Sequence, residues 1–385
     1  KKGKMSNQSK NSQNPAKKIY IRTFGCQMND RDTEALLGLF LDKGYSASDD
    51  PKDSSVVLIN TCSVRDHAES RALSFVGTFR KLKNKKPLVG VIGCMARNTG
   101  EKIFEKMPYV DLICGPGSFS DIPHYIEKIQ NEKIRIIDVE DKERNESFYG
   151  ANLRLEPGHA QVVISTGCSN YCSYCVVPYV RGDLRLRKPE DILTEVKKNI
   201  SLGIIKVTLL GQNVNDYKYK EESRVISFVD LLKSVEMLEG IEELDFITSQ
   251  PRNTTKDLFT LMAKSSKIKK HLHLPFQSGS NRILDLMNRG YSREQYLDLV
   301  SEYKEIVGGT LSTDVIVGFP TEREDDFLQT KSILESVRFN HAYIFKYSPR
   351  MRAESTKLTD DVLRETKERR HRILLDLQKK ISKGG

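Results

Sequence analysis

Four times in its N-terminal third the chain repeats one phrase: a short apolar run, a turn that holds a cysteine, then a stretch with helical spacing. "KIYIRTFGCQMND" carries Cys26, "SSVVLINTCSVRD" carries Cys62, "PLVGVIGCMAR" carries Cys94 and "YVDLICGPGS" carries Cys114. The intervals from Cys26 to Cys62 and from Cys62 to Cys94, 36 and 32 residues, each have room for one helix and the next strand, as a βαβ unit requires. The repeat predicts an α/β chain whose N-terminal domain, residues 18–139, is a doubly wound parallel sheet. In open sheets of this kind the carboxyl ends of the strands line one edge, and ligands bind there. Cysteines far apart in sequence should therefore meet. Spacing alone does not say which three or four of them do, and any one taken singly is also a common core residue.

The stretch "KERNESFYGANLRLEPGH" is polar, contains Gly and Pro and keeps neither period, so residues 140–158 read as a linker. Six strand-like runs then alternate with helical patterns: "QVVIST", "KVTLLG", "ELDFIT", "HLHLP", "LSTDVIVGF" and "AYIFKYS". They predict a second βα repeat over residues 159–384, a partial (β/α)6 barrel with its site at the carboxyl ends of the strands. The last segment, "LRETKERRHRILLDLQKKISKGG", sets Ile373, Leu374, Leu377 and Ile381 at helical spacing, and packing on the barrel is its expected role. Residues 1–17 lack apolar periodicity and read as a disordered tail.

Directly after the first barrel strand, "TGCSNYCSYCVVPY" places Cys168, Cys172 and Cys175 in the spacing CxxxCxxC. The chain has no run of about 18 apolar residues and no apolar leader, so a cytoplasmic protein without a membrane segment is expected. In that reducing compartment seven cysteines, an odd number, are metal ligands or catalytic thiols rather than disulfides. Structural zinc takes four protein ligands, and no second CxxC or histidine stands near Cys175. A four-iron cluster on three thiolates instead leaves one iron open to another molecule. Lys and Arg number 62 against 52 Asp and Glu, a net charge of +10 that favours a polyanionic partner, nucleic acid first.

With Tyr174 just before its last cysteine, this loop resembles the signature of the radical S-adenosylmethionine (SAM) superfamily, whose fold is a partial barrel. The resemblance implies a [4Fe-4S] cluster on Cys168, Cys172 and Cys175 with SAM on its open iron. "TFGCQMND", "NTCSVRDHAE" and "GCMA" further resemble the three cysteine segments of the MiaB-type methylthiotransferases. Gln27, Met28 and Asn29 match that family rather than those acting on threonylcarbamoyladenosine or on a ribosomal protein. The similarity runs from about Lys18 to about Ser382. It implies that Cys26, Cys62 and Cys94 hold a second, auxiliary [4Fe-4S] cluster and that Cys114 is not a ligand. The activity implied is insertion of a methylthio group at carbon 2 of N6-dimethylallyladenosine beside the tRNA anticodon. One SAM would methylate a sulfur on the auxiliary cluster and a second would yield the radical. The partners implied are the tRNA anticodon stem-loop and a reducing electron donor, with the enzyme a monomer. Members of the family carry a C-terminal TRAM domain, a small β-barrel that binds tRNA, and this chain is expected to lack it.

The same resemblance nominates SAM contacts: Gln212 and Asn213 in "LLGQNVNDY", and Asp314 and Glu322 in "STDVIVGFPTE". "HLHLPFQSGS" puts His271 and His273 on one strand face, with a core role and a ligand contact equally open, and sets Gln277 and Ser278 near the site mouth. In "VPYVRGDLRLRKP", Arg181, Arg185 and Arg187 suit RNA phosphates or stacked bases, against the alternative of a solvated basic face. Asp183, Leu186 and the missing Pro-Gly in "YSPRMRAES" depart from the family pattern. No side chain is nominated as general base, because an aromatic C–H bond lies beyond ordinary acid–base groups and the hard chemistry belongs to the cofactors. The competing functions are a sibling methylthiotransferase acting on threonylcarbamoyladenosine or a ribosomal protein, and a non-catalytic zinc and RNA-binding module.

Overall fold

The computed structural model describes residues 17–63, 66–81, 86–142, 146–150, 153–222, 224–247 and 249–383. The tail expected over 1–17 lies outside them apart from Lys17. The cysteine-bearing repeats form β1 (Lys18–Phe24), β2 (Ser46–Ala47), β3 (Val56–Thr61), β4 (Leu88–Gly93), β5 (Leu112–Cys114) and β6 (Ile136–Asp138). They pair in the order β2-β1-β3-β4-β5-β6, every neighbour parallel. All six residues of β3 are buried, as a central parallel strand covered on both faces must be.

Helices α1 (Gln27–Asp42) and α5 (Ile122–Glu132) cover one face, with Leu36, Phe40, Ile122 and Ile126 packed on Ile19, Val56 and Leu58. Helices α2 (Asp66–Gly77), α3 (Cys94–Thr99) and α4 (Lys102–Lys106) cover the other, where Ala72, Val76 and Ile103 meet Tyr20, Val57 and Val91. The strand order changes direction between β1 and β3, the crevice where doubly wound sheets bind ligands. Cys26 leaves β1 and Cys62 leaves β3, so they flank it.

The second domain contains β7 (His159–Val163), the short pair β8 (Ser165–Thr166) and β9 (Arg185–Leu186), β10 (Lys206–Leu210) and the hairpin β11 (Lys218–Glu221) and β12 (Arg224–Ser227). There follow β13 (Glu243–Ile247), β14 (His271–His273), β15 (Thr310–Val317) and β16 (His341–Lys346). Strands β7, β10 and β13 lie side by side and parallel, as do β14, β15 and β16. Backbone bonds from Leu244 N to Lys267 O and from Lys269 N to Leu244 O, both 3.0 Å, join the two sets across the segment leading into β14. Six strands thus follow one another around an open barrel. Alternate residues such as Val162, Leu209, Leu244, Leu272 and Val315 face the outer helices, while His159, Thr208, His271, His273, Ser312 and Asp314 take the opposite face.

The outer ring comprises α6 (Val177–Arg181), α7 (Pro189–Ser201), α8 (Phe228–Glu236), α9 (Lys256–Lys264), α10 (Asn281–Leu286), α11 (Arg293–Ile306), α12 (Glu324–Val337) and α13 (Arg364–Lys383). Ser227 and Ser292 start α8 and α11 with capping boxes. The C-terminal helix lays Leu374 into the barrel core with Ile373 and Leu377 against it.

The stretch that reads as a linker is packed where it is described: Phe148 and Tyr149 are buried with α1 and the sheet. They sit in the seam between the domains. There Val163 and Leu210 of the barrel share one apolar cluster with Met28, Ala35 and Leu36 of α1. A buried ionic network runs through the same seam. Arg31 of α1 donates to Tyr149 O (2.5 Å) and Glu195 Oε1 (3.2 Å), Arg154 reaches the same Oε1 (2.9 Å), and Arg187 binds Glu195 Oε2 (2.6 Å).

Glu195 binds three guanidiniums there. Its replacement by Ala removes their shared carboxylate from a buried site, and removal of one member of such a network costs about 3–5 kcal/mol. Urea unfolding of Glu195→Ala should show that loss, and a loss under about 1 kcal/mol would mean that solvent reaches the seam.

Candidate functional site

Three of the seven cysteines directly follow a glycine, and in two of these cases the glycine backbone is obligatory. Gly93 has φ +98°, and a Cβ there would lie 2.5 Å from Thr61 O; Gly167 has φ +71°, with a Cβ 2.0 Å from Asp183 O. Only glycine lets each chain turn so closely into Cys94 and Cys168. In the first domain Asn29 completes the arrangement. Its amide donates to Asn60 Oδ1 (2.9 Å) and Thr61 O (3.2 Å), and its Oδ1 accepts the Cys26 thiol (3.2 Å). The start of α1 is thereby clamped to the end of β3, and Cys26 to Cys62.

A hydrogen bond with Cys62 pulls the Cys26 thiol down to about 6, against burial and with help from Arg181. Burial pushes the Cys94 thiol up, and Arg181 opposes it. Arg181 Nε donates to Cys94 Sγ (3.2 Å) and its Nη2 pairs with Asp32 Oδ2 (2.9 Å). Cys114, fully buried, donates to Gly115 O at 3.4 Å and belongs to the apolar cluster of α1 and α5, against which Cys26 also packs.

In the barrel, the cysteine loop leaves β8 and is held from both sides. Cys168 N donates to Gly182 O (3.1 Å), Cys175 N to Cys172 O (2.9 Å) and Ser173 N to Met287 O (3.0 Å). Donors are aimed at each sulfur: Asn170 Nδ2 at Cys168 (3.4 Å), Arg289 Nη1 at Cys172 (3.4 Å) and Val177 N at Cys175 (3.5 Å). Burial and the neighbouring Cys172 push the Cys175 thiol up to about 12, and burial also raises that of Cys168.

Such donors suit thiolates that stay ionised on a metal cluster. Among the described residues no three His, Cys, Asp or Glu side chains converge as ligands to one ion would. A cluster asks for a wider set, because each thiolate binds a different iron.

Of the nominated SAM contacts, Asn213 is buried, donating to Asp216 (2.5 Å) and accepting from Gln250 N (3.1 Å), with Gln212 half-buried beside it. Tyr174 accepts from Arg289 Nη1 (3.3 Å). Asp314 lies on the inner face, its Oδ2 3.4 Å from His273 Nε2. Beside it a hydrogen-bonded chain runs from Thr310 through His271 (2.7 Å) and Ser312 (3.0 Å) to His273 (2.9 Å). Gln277 is tied to β15 by its backbone, and Ser278 contacts Thr330 of α12 instead of the mouth.

Three nominations need correction. Arg181 and Arg187 are buried in ion pairs with Asp32 and Glu195, so neither presents its fork to RNA. Only Arg185 is partly exposed, and it pairs with Asp141 (3.1 Å). Glu322 is a strut that accepts Gly318 N (2.6 Å) and binds Arg370 of α13 (2.7 Å). Arg289, Asn170 and Asp216 support the cysteine loop yet escaped sequence reasoning, for nothing marks one polar residue near a loop as buried against it. "MNRGY", with its glycine two residues before a helix cap, was the available signal for Arg289.

A barrel with this loop, behind a doubly wound domain, defines a radical SAM protein. The family model described as the Radical SAM superfamily matches residues 162–334, and the one described as Uncharacterized protein family UPF0004 matches residues 18–115. Solved structures agree on fold. The radical SAM methyltransferase TsrM from Kitasatospora setae superposes with TM-score 0.61 at 12% identity over 86% of this chain and 72% of its own, and OxsB with 0.56 at 11% over 96% and 56%. The chain is 40% identical over 97% of its length to the tRNA-2-methylthio-N(6)-dimethylallyladenosine synthase of Desulforamulus reducens, and 41% over 95% to that of Moorella thermoacetica. It spans 82% and 83% of those proteins. It belongs to the family of tRNA-2-methylthio-N(6)-dimethylallyladenosine synthases.

Two outcomes follow from the geometry. Cys114→Ala should leave the iron content of anaerobically reconstituted protein unchanged; loss of about half would make Cys114 a ligand. Burial also pushes the Glu322 carboxyl up to about 7, outweighing Arg370. Between the ordinary carboxylate value of about 4.3 and about 7 the folded state holds a proton that the unfolded state has shed, so this residue's contribution falls as pH rises. Glu322→Gln should therefore gain in unfolding free energy relative to the parent between about pH 5 and pH 8, measured by urea denaturation at each pH.

Proposed function

We propose that the protein inserts a methylthio group at carbon 2 of N6-dimethylallyladenosine beside the anticodon of tRNA. The observation that carries this reading is the pair of three-cysteine sites, one per domain, joined through a buried seam. Cys168, Cys172 and Cys175 are positioned to hold one [4Fe-4S] cluster, and Cys26, Cys62 and Cys94 a second. With SAM, these groups supply a 5′-deoxyadenosyl radical in the barrel and a transferable sulfur in the first domain.

The chain's own residues orient these groups and shield them. Asn29 ties the turn at Cys26 to the end of β3, and Gly93 lets the chain pass close to Thr61 on its way into Cys94. Asn170 and Arg289 aim N–H groups at the barrel sulfurs, and stabilising thiolate charge in this way favours cluster retention. Tyr174, Gln212, Asn213 and Asp314 are assigned to SAM. Arg185 is the remaining assigned contact for the anticodon stem-loop. The enzyme acts as a monomer in the cytoplasm with an external electron donor, and no helix among the described residues is long and apolar enough to cross a membrane.

The test separates the half-reactions. The triple variant Cys26→Ala, Cys62→Ala, Cys94→Ala should still release 5′-deoxyadenosine from SAM under strong reductant and form no methylthio nucleoside. The variant lacking Cys168, Cys172 and Cys175 should form neither product. Mass spectrometry of tRNA digests reads both, and a methylthio product on threonylcarbamoyladenosine instead would shift the assignment to the sibling enzyme. Methylthio nucleoside from the first variant would overturn the sulfur-donor role of its cysteines.

A further inference from the structure

Arg181 belongs to both domains at once. Its backbone ends α6, which begins two residues after Cys175, so the barrel's cysteine loop carries it. Its side chain, 2% exposed, crosses the seam to Cys94 and Asp32 of the first domain. Nε and Nη2 are used there. Nη1 is buried and has no hydrogen-bond partner.

An unpaired buried donor costs about 1–3 kcal/mol, more when it is charged, so an acceptor is expected where Nη1 points. Asp32 is already engaged, its Oδ1 accepting from Tyr149 Oη (2.7 Å) and its Oδ2 from Nη2.

We propose that Arg181 is the positioning residue of the auxiliary cluster: it fixes Cys94 through Nε and offers Nη1 to the cluster's own sulfur. This rests on the reading that Cys26, Cys62 and Cys94 hold a [4Fe-4S] cluster. Reduction adds negative charge to a cluster, so an adjacent cation and an N–H···S bond both favour the reduced form and raise its potential. The same side chain, rooted next to Cys175, fixes the relative placement of the two cysteine sites.

The experiment uses full-length protein carrying Cys168→Ala, Cys172→Ala and Cys175→Ala, so that any cluster bound is the auxiliary one. Iron content, anaerobic redox titration and the electron paramagnetic resonance spectrum of the reduced cluster are compared with Arg181 intact, with Arg181→Met and with Arg181→Lys. Arg181→Met should shift the midpoint to more negative values and alter the spectrum. Arg181→Lys, which keeps the charge without the fork, should recover part of the shift in potential and not the spectrum. If Arg181→Met fails to fold by circular dichroism, the Lys variant alone decides, through its altered spectrum. An unchanged potential and spectrum in the folded variants would overturn the proposal and leave Arg181 as a brace between domains. Absence of any cluster with Arg181 intact would instead remove the auxiliary-cluster reading, and this inference with it.

Discussion

The buried ionic seam between α1 and the barrel is the constraint on which the arrangement depends. Each charge taken out of water carries a penalty of several kcal/mol unless its partners stand in place. Two of the pairs cross between the domains, Arg31 of α1 with Glu195 and Asp32 of α1 with Arg181, while Glu34 adds to Arg31 on one side and Arg154 and Arg187 add to Glu195 on the other. Neither domain satisfies its ions alone, so the two fold surfaces are matched in one relative placement. The apolar contacts of Val163 and Leu210 with the α1 cluster act in the same direction. Association of the domains thus sets where one cysteine site stands with respect to the other.

The two sites share local chemistry and differ in how they are assembled. Each uses a glycine with positive φ to turn into a cysteine, and each places one buried guanidinium on a cysteine sulfur, Arg181 on Cys94 and Arg289 on Cys172. The barrel site is almost entirely one loop, held by bonds to Gly182 and Met287. The first-domain cysteines follow three different strands of a parallel sheet, and Asn29 and Asn60 lock the start of α1, beside Cys26, to the end of β3. Local backbone geometry makes the first, and the sheet makes the second.

Along the inner face of the barrel, polar side chains satisfy one another rather than facing an empty space. A hydrogen-bonded chain runs from Thr310 through His271 and Ser312 to His273, and Asp314 Oδ2 lies 3.4 Å from the last ring. Burial holds His271 below its usual pKa, which favours a neutral ring that accepts at one nitrogen and donates at the other. A polar, hydrogen-bonded wall of this kind suits a cavity that receives a polar cofactor and a base.

Much of this was legible in the sequence because its signals are local. Period-two and helical patterns announced both βα repeats, and the CxxxCxxC loop is contiguous, so its three ligands need no fold to bring them near one another. Cys26, Cys62 and Cys94 announced only that they end strands; Cys114 ends a strand too. The family resemblance leaves it out of the ligand set, and the structure buries it in the core of α1 and α5. Arg181 and Arg187 were misread for a related reason, since a basic run looks alike whether solvated or buried. The acid that pairs with Arg181 is 149 residues away and the one that joins Arg31 to the barrel is 164 away. The sequence by itself determined which groups can bind metal and which elements carry them, because those follow from residue type and near-neighbour spacing. Only the tertiary structure decided which charges are buried and which arginines pair across the two domains, because burial and long-range pairing arise when distant surfaces exclude water between them.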